Sequence, residues 1–372
     1  MNRHAIPWWM PQIGPNEYGL VRDVLDSNYL NEGDITTRFE QEIGRLVGVK
    51  HAVGVSSGTS ALFLSLAALG IGHGDEVIVP DMTFIATANA VTLAGAVPVL
   101  VDIDPETLNI SPEAFTKAIT SRTRAVMPVH VSGRSADLPA VAAIARDHGV
   151  AMVEDAAEAL MSSRHGCALG TVGIAGCLSF SPNKTITTGQ GGMVLTNDDA
   201  LYTRLRELKD QGRPVRGTGG DDIHASVGFN FKLTNLQSAV GIGQLAYLAD
   251  RLDRQRRTYS RYARGLRGVD GVRLPEFDVD GGEVPQWVDA VVERRDELDR
   301  FLAEREIDCR RFWLPLHTQA PYRRPDKDFP GSVWAGPRAL WLPSAFTMTD
   351  ADVDAVVGAV LEFVSCHQVP RS

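Results

Sequence analysis

The stretch Ser179-Phe180-Ser181-Pro182-Asn183-Lys184, continued by Thr187-Thr188-Gly189-Gln190-Gly191-Gly192, lies between the apolar runs 177–180 and 193–196. It reads as two short buried strands joined by a loop of small residues that carries one lysine. Further apolar runs of strand length fall at 52–55, 77–80, 97–101, 125–129 and 150–153. Helical patterns fill the intervals: 60–69 places Leu62, Leu66 and Leu69 on one face, and 138–148 does the same for Val141, Ile144 and Ala145. Strands alternating with helices predict an α/β fold whose central sheet is mainly parallel and flanked by helices. The expected division is a large unit over 1–250, including an N-terminal arm, and a smaller α+β unit over 251–372, its elements falling between 272 and about 364. Glycine-rich segments at 212–220 and around Gly281-Gly282 read as loops, the first expected to cover a site. The arginine-rich stretch 251–267 reads as a solvated helix face or a subunit contact.

Composition narrows the function classes. The chain has 372 residues, 44% hydrophobic and 22% charged, enough to bury a large core. Its 46 acidic residues against 37 Lys plus Arg give a formal net charge of −9, which argues against nonspecific binding to nucleic acid or to an anionic membrane. Residues 82–101 carry no charge and reach spanning length, but Asn89, Gly95 and Pro98 interrupt them, so they are expected in the core. The first fifteen residues hold Arg3, Pro7, Trp8, Trp9 and Pro11 without the apolar core of a secretory signal. Cys167, Cys177, Cys309 and Cys366 form no C-x-x-C pair, so a reduced, cytoplasmic setting without a metal site is expected, a Cys167–Cys177 disulfide staying open.

Three motifs carry candidate chemistry. Ser57-Gly58-Thr59-Ser60 follows an apolar run and opens a helix, so its backbone N–H groups and hydroxyls suit a phosphate, though an ordinary N-cap has the same sequence. Glu154-Asp155 ends an apolar run, where ligand sites of parallel sheets gather; Asp155 there can pair with a protonated ring nitrogen or cap a helix. Lys184, desolvated among small residues, can form a Schiff base, while most lysines are simply solvated. Together, an acid at Asp155, a lysine at Lys184 and an anion cradle at Ser57, Gly58, Thr59 and Ser179 form the layout that pyridoxal 5'-phosphate requires.

The segments SSGTSAL, VEDAAEA, LSFSPNKTITTGQGGMVLTND and GFNFKLTNLQSAVGIGQL, with others between residues 39 and 252, resemble the DegT/DnrJ/EryC1/StrS sugar aminotransferases. The resemblance implies the pyridoxal-phosphate-dependent transferase type I fold of aspartate aminotransferase. It makes Lys184 the Schiff-base lysine and proton shuttle, and Asp155 the partner of the ring nitrogen. It further assigns Phe84 to stacking on the ring, Glu158 to the neighbourhood of the ring hydroxyl, and Asn230 to the phosphate of the neighbouring subunit in a homodimer with shared sites. His317 and Lys232 are its candidates for contact with the substrate. Departures from the family pattern are Gln190 for Glu, Phe231-Lys232 for Tyr-Arg, and Ser132 and Arg134 for Tyr and Gln.

The implied reaction moves an amino group from L-glutamate to a nucleotide-linked keto sugar. The segments around Lys184 and Asn230 most resemble members that aminate GDP-4-keto-6-deoxymannose to GDP-perosamine. A dTDP- or UDP-keto-sugar 3- or 4-aminotransferase is the alternative. A sugar dehydratase of the same family carries histidine in place of the lysine, which Lys184 argues against, and a non-catalytic cofactor-binding regulator is disfavoured by the intact Lys184, Asp155 and Glu158. The spacing of Gly70-Ile71-Gly72-His73-Gly74, after a helix, argues against a nicotinamide site.

Overall fold

All seven apolar runs become strands of one sheet in the computed structural model, which describes residues 5–214 and 222–366. They are β1 (His51–Val55), β2 (Glu76–Pro80), β3 (Val97–Val101), β4 (Thr123–Val126) and β5 (Ala151–Asp155), then, after a ribbon formed by β6 (Ser163–Arg164) and β7 (Cys167–Ala168), β8 (Ala175–Ser179) and β9 (Gly192–Thr196). Their order is β1-β9-β8-β5-β4-β2-β3, and β9 alone runs against its neighbours. Successive strand residues face opposite sides. Ile78, Val126, Met152, Leu178 and Met193 therefore enter one apolar core, and Val77, Val79, Ala125, Val153 and Val194 enter another.

The helix Gly58–Ala68 lies in the second core with Leu62, Leu64 and Leu66 buried. Ser57 caps it, its Oγ accepting from the Ser60 N–H at 3.0 Å, an interaction worth about 1 kcal/mol. The uncharged stretch 82–101 divides into the helix Ala86–Leu93 and strand β3, and no helix among the described residues is long and apolar enough to cross a membrane.

The C-terminal part builds a second, antiparallel sheet from β10 (Val272–Arg273), β11 (Val288–Val292), β12 (Arg310–Arg311) and β13 (Ala339–Leu342), in the order β10-β11-β13-β12. Tyr259 and Tyr262 of the helix Leu248–Gly265 and Val353 and Val356 of the helix Asp350–Cys366 bury against Val288, Ala290 and Leu340. The arm departs from the expected division. Ile6 pairs with Ile307 and belongs to the core under this C-terminal sheet, because its backbone continues the hydrogen bonding of the 306–308 segment.

Other expectations change in detail. Arg251 is buried rather than solvated, its guanidinium donating to the Thr185 and Gln12 carbonyls and to Gln244 Oε1. All four cysteines are free, so Cys167 and Cys177 form no disulfide. Residues 215–221 of the expected 212–220 loop and its flank lie outside the described residues.

Candidate active site

The carboxyl ends of β1, β5 and β8 and the reversed start of β9 converge at one edge of the large sheet. Register brings them together: Gly192 is paired with both Val55 and Ser179, and Asp155 lies beside Cys177. A Cβ on Gly192 would meet the Ser57 carbonyl oxygen at 2.3 Å, so glycine allows the helix start to sit against β9. A cavity of about 320 Å³ opens there. Ser57, Gly58, Thr59 and Ser179 line one part of it; Phe84, Asp155, Glu158 and Lys184 line the rest.

Asp155 closes β5. Its Oδ2 accepts from Thr87 Oγ1 at 2.8 Å and its Oδ1 from the Ala157 N–H at 3.2 Å. Two donors leave part of a carboxylate's accepting capacity unused. Burial raises this carboxyl above its ordinary range, against the lowering effects of Thr87, the Ala157 amide and the Lys184 charge. A protonated ring nitrogen at this position would relieve that cost.

Lys184 Nζ donates to Glu158 Oε1 at 3.2 Å and stands 4.8 Å from the centroid of the Trp287 ring. Burial raises the Glu158 carboxyl, while the Lys184 charge and the Ser132 amide, 2.9 Å from Oε2, oppose the rise. The lysine loop is braced from below, with Arg251 bonded to the Thr185 carbonyl and Gln255 Nε2 donating to Thr185 Oγ1 at 3.1 Å. Phe84 is half exposed on the cavity wall. At the helix start, Ser57 takes the Ser60 amide on its Oγ and the Ala61 amide on its carbonyl, leaving those of Gly58 and Thr59 for an anion.

Glu154, one residue before Asp155, faces the other side of the sheet. It accepts from His130 Nε2 and the amides of Gly170, Val172 and Gly173 at 2.7–2.9 Å. The Ala136 N–H reaches His130 Nδ1 at 3.2 Å, so the ring proton sits on Nε2. Burial pushes Glu154 up, but the hydrogen bonds from His130 and from the Gly173 and Gly170 amides bring it below its ordinary range.

The chain belongs to the DegT/DnrJ/EryC1/StrS aminotransferase family. The family's model matches residues 11–361. The GDP-perosamine synthase of Caulobacter vibrioides is 37% identical over 359 residues, covering 94% of this chain and 96% of that protein. Among solved structures, S. venezuelae DesV in complex with a ketimine intermediate superposes with a TM-score of 0.89 at 35% identity, covering 95% of each chain. DesI, solved with its TDP-sugar product, gives 0.89 at 30% identity, covering 98% of this chain and 94% of that one.

The aminotransferase's cofactor, pyridoxal phosphate, fits these residues. The acid with unused accepting capacity, the lysine and the aromatic wall line one cavity, and the phosphate end meets a cradle tight enough that a Cβ on Gly58 would lie 2.9 Å from Ser179 Cβ. Three sequence candidates are not brought to this cavity. Asn230 is exposed and bridges Asp210 through its backbone, and Lys232 Nζ is paired with the Asp210 carboxylate. His317 is fully buried, bonded through Nδ1 to Asp81 Oδ2 at 2.6 Å and stacked on Phe329, and it does not line the cavity.

Conversely, Trp287, Arg310 and Trp313 line the cavity from the C-terminal part, and no motif in the sequence pointed to them. Thr87 was also missed; its one signal is the helix spacing that puts it a turn beyond Thr83. The departures Ser132 and Arg134 share one partner, buried Asp289, at 2.6 and 2.7 Å. Ser132 adopts φ 53°, a left-handed conformation that costs a non-glycine residue roughly 1 kcal/mol, and in it its N–H meets Glu158.

Proposed function

We propose that this aminotransferase carries an amino group from L-glutamate to a nucleotide-linked keto sugar, with GDP-4-keto-6-deoxymannose as the preferred acceptor and GDP-perosamine as the product. The observation that carries the reading is that Asp155 and Lys184, on separate segments, line one cavity together with the start of the helix Gly58–Ala68. The acceptor preference rests on the similarity to the C. vibrioides GDP-perosamine synthase.

When bound, pyridoxal phosphate supplies an electron-withdrawing ring that takes up the electron pair left as the donor's α-carbon loses its proton. Asp155, buried and held by Thr87, keeps a proton on the ring nitrogen. Lys184 would hold the cofactor at its aldehyde end and, as a free amine, would take the proton from the donor's α-carbon; in the second half of the reaction it would deliver one to the sugar carbon. Glu158 holds that ammonium in place. The Gly58 and Thr59 amides with Ser179 would bind the phosphate, and Phe84 would orient the ring.

A homodimer with shared sites is part of this proposal. It is supported by Asn230, exposed and absent from the lining of its own chain's cavity, and by the exposure of Tyr18 (70%), Val227 (87%) and Phe84 (52%). Four free cysteines suit the reducing cytoplasm.

The test is an absorption spectrum with pyridoxal phosphate before and after L-glutamate. The wild type is expected to show the visible band of lysine-bound cofactor, bleached by glutamate, and Lys184→Ala to lack it. A wild type without that band overturns the cofactor roles. Competition between keto sugars then decides the acceptor: equal or faster turnover of dTDP-keto sugars, the nucleotide class seen with DesI, removes the GDP preference.

A further inference from the structure

Four charged side chains line the cavity: Asp155, Glu158, Lys184 and Arg310. Lys184 is paired with Glu158, and Asp155 is assigned to a ring nitrogen. Arg310, on β12, forms no ion pair among the described residues. Aromatic rings surround it instead, its guanidinium carbon lying 4.8 Å from the centroid of Trp8 and 5.4 Å from that of Trp341. A guanidinium projects its N–H donors within its own plane, so an aromatic contact across its face leaves that edge free for an acceptor.

The same rings tie this arginine to the reacting lysine. Trp8 lies 5.5 Å from Trp287, centroid to centroid, and Lys184 Nζ stands over Trp287. The neighbouring Trp9 donates its Nε1–H to the Pro182 carbonyl, two residues before Lys184. The arm is held in turn by the Ile6–Ile307 pairing.

We propose that Arg310 receives an oxyanion of the substrate by paired N–H···O bonds, and that Trp8 is its positioning residue. Resting on the aminotransferase reading, this deepens it, because both half-reactions bring an anion into one cavity. The donor carries carboxylates and the acceptor carries a diphosphate, and either offers two oxygens to a guanidinium edge.

The test compares wild type with Arg310→Gln, Arg310→Lys and Trp8→Phe, each loaded with pyridoxal phosphate. Unchanged circular dichroism and an unchanged visible band establish that fold and cofactor are intact. Dissociation constants for glutarate, GDP and dTDP are then measured by calorimetry, and KM for glutamate and for the keto sugar alongside. Weakening of ~10-fold or more in Arg310→Gln for glutarate, with KM for glutamate rising in step, assigns the donor carboxylate. The same loss for a nucleoside diphosphate assigns the acceptor. Arg310→Lys should recover part of the affinity, since it keeps the charge without the fork, and Trp8→Phe should raise the same KM by a smaller factor while leaving kcat nearly unchanged. Binding constants and KM values in Arg310→Gln equal to the wild type's overturn the proposal while leaving the aminotransferase reading intact; a wild type with no visible band and no turnover sinks that reading instead.

Discussion

Glu154 and Asp155 are adjacent on β5 and both buried, yet the strand's alternation sends them to opposite sides of the sheet. On the Glu154 side, four donors saturate the carboxylate and pin the 170–173 turn and His130 to the strand. On the Asp155 side, two donors hold a carboxylate whose burial is incompletely compensated. The contrast teaches how a fold separates the tasks of one acidic dipeptide: saturated hydrogen bonding serves stability, and unused accepting capacity serves a ligand.

The largest effect expected on the ligand side is from Lys184→Ala, which should lower turnover by at least ~10³-fold with circular dichroism unchanged. Asp155→Asn should lower turnover by roughly 10²-fold or more, while the cofactor-free protein melts no lower than the wild type, since a costly buried charge is gone. If the cofactor-free variant unfolds instead, Asp155 belongs with Glu154 and the contrast collapses. Glu154→Gln reverses the pattern: the amide NH2 faces N–H donors, so stability should fall by about 2–4 kcal/mol in urea melts.

Titration sharpens the same comparison. Glu154 is lowered in the folded state, so its stabilisation is present above its ordinary value of 4.5 and is lost as pH falls through the lowered value. The deficit of Glu154→Gln against wild type should therefore shrink on acidification. Asp155 is raised, so its sign is opposite: the cofactor-free wild type loses stability as pH climbs from the ordinary 3.8 through the raised value. The advantage of Asp155→Asn should grow over that interval, as thermal melts at several pH values would record. The smallest effect is that of Thr87→Val, which removes one bond to Asp155 and should weaken cofactor affinity by about 10-fold, read from titration of the visible band.

How much of this was legible in the sequence depended on whether the information was local. The seven strands of the large sheet were readable because each is a short apolar run, most of it buried, with only the edge strand β3 largely uncovered. Asp155, Lys184 and the Ser57-Gly58-Thr59 turn were readable because strand ends and helix starts carry their own signatures. Trp287, Arg310 and Trp313 were not, because only the docking of a second sheet, more than a hundred residues further along, brings them to the cavity. His317 and Lys232 were candidates by resemblance, and the acids that hold them here, Asp81 and Asp210, are brought to them by packing rather than by spacing. Arg251 was read as solvated for the same reason, its carbonyl partners lying in loops distant in sequence.

The arm that supports Trp8 leaves the ribosome well before Ile307, its partner, which emerges about 300 residues later. At the usual pace of translation that interval is roughly 15 to 60 s. The strands of the large sheet are complete at Thr196 and can assemble within that interval, before the segment that pairs with Ile6 is made. A nascent chain stalled short of β13 (Ala339–Leu342) thus holds its lysine, its acid and the cavity's Trp287 and Trp313 but lacks Trp341, the ring against which Trp8 and Trp287 pack.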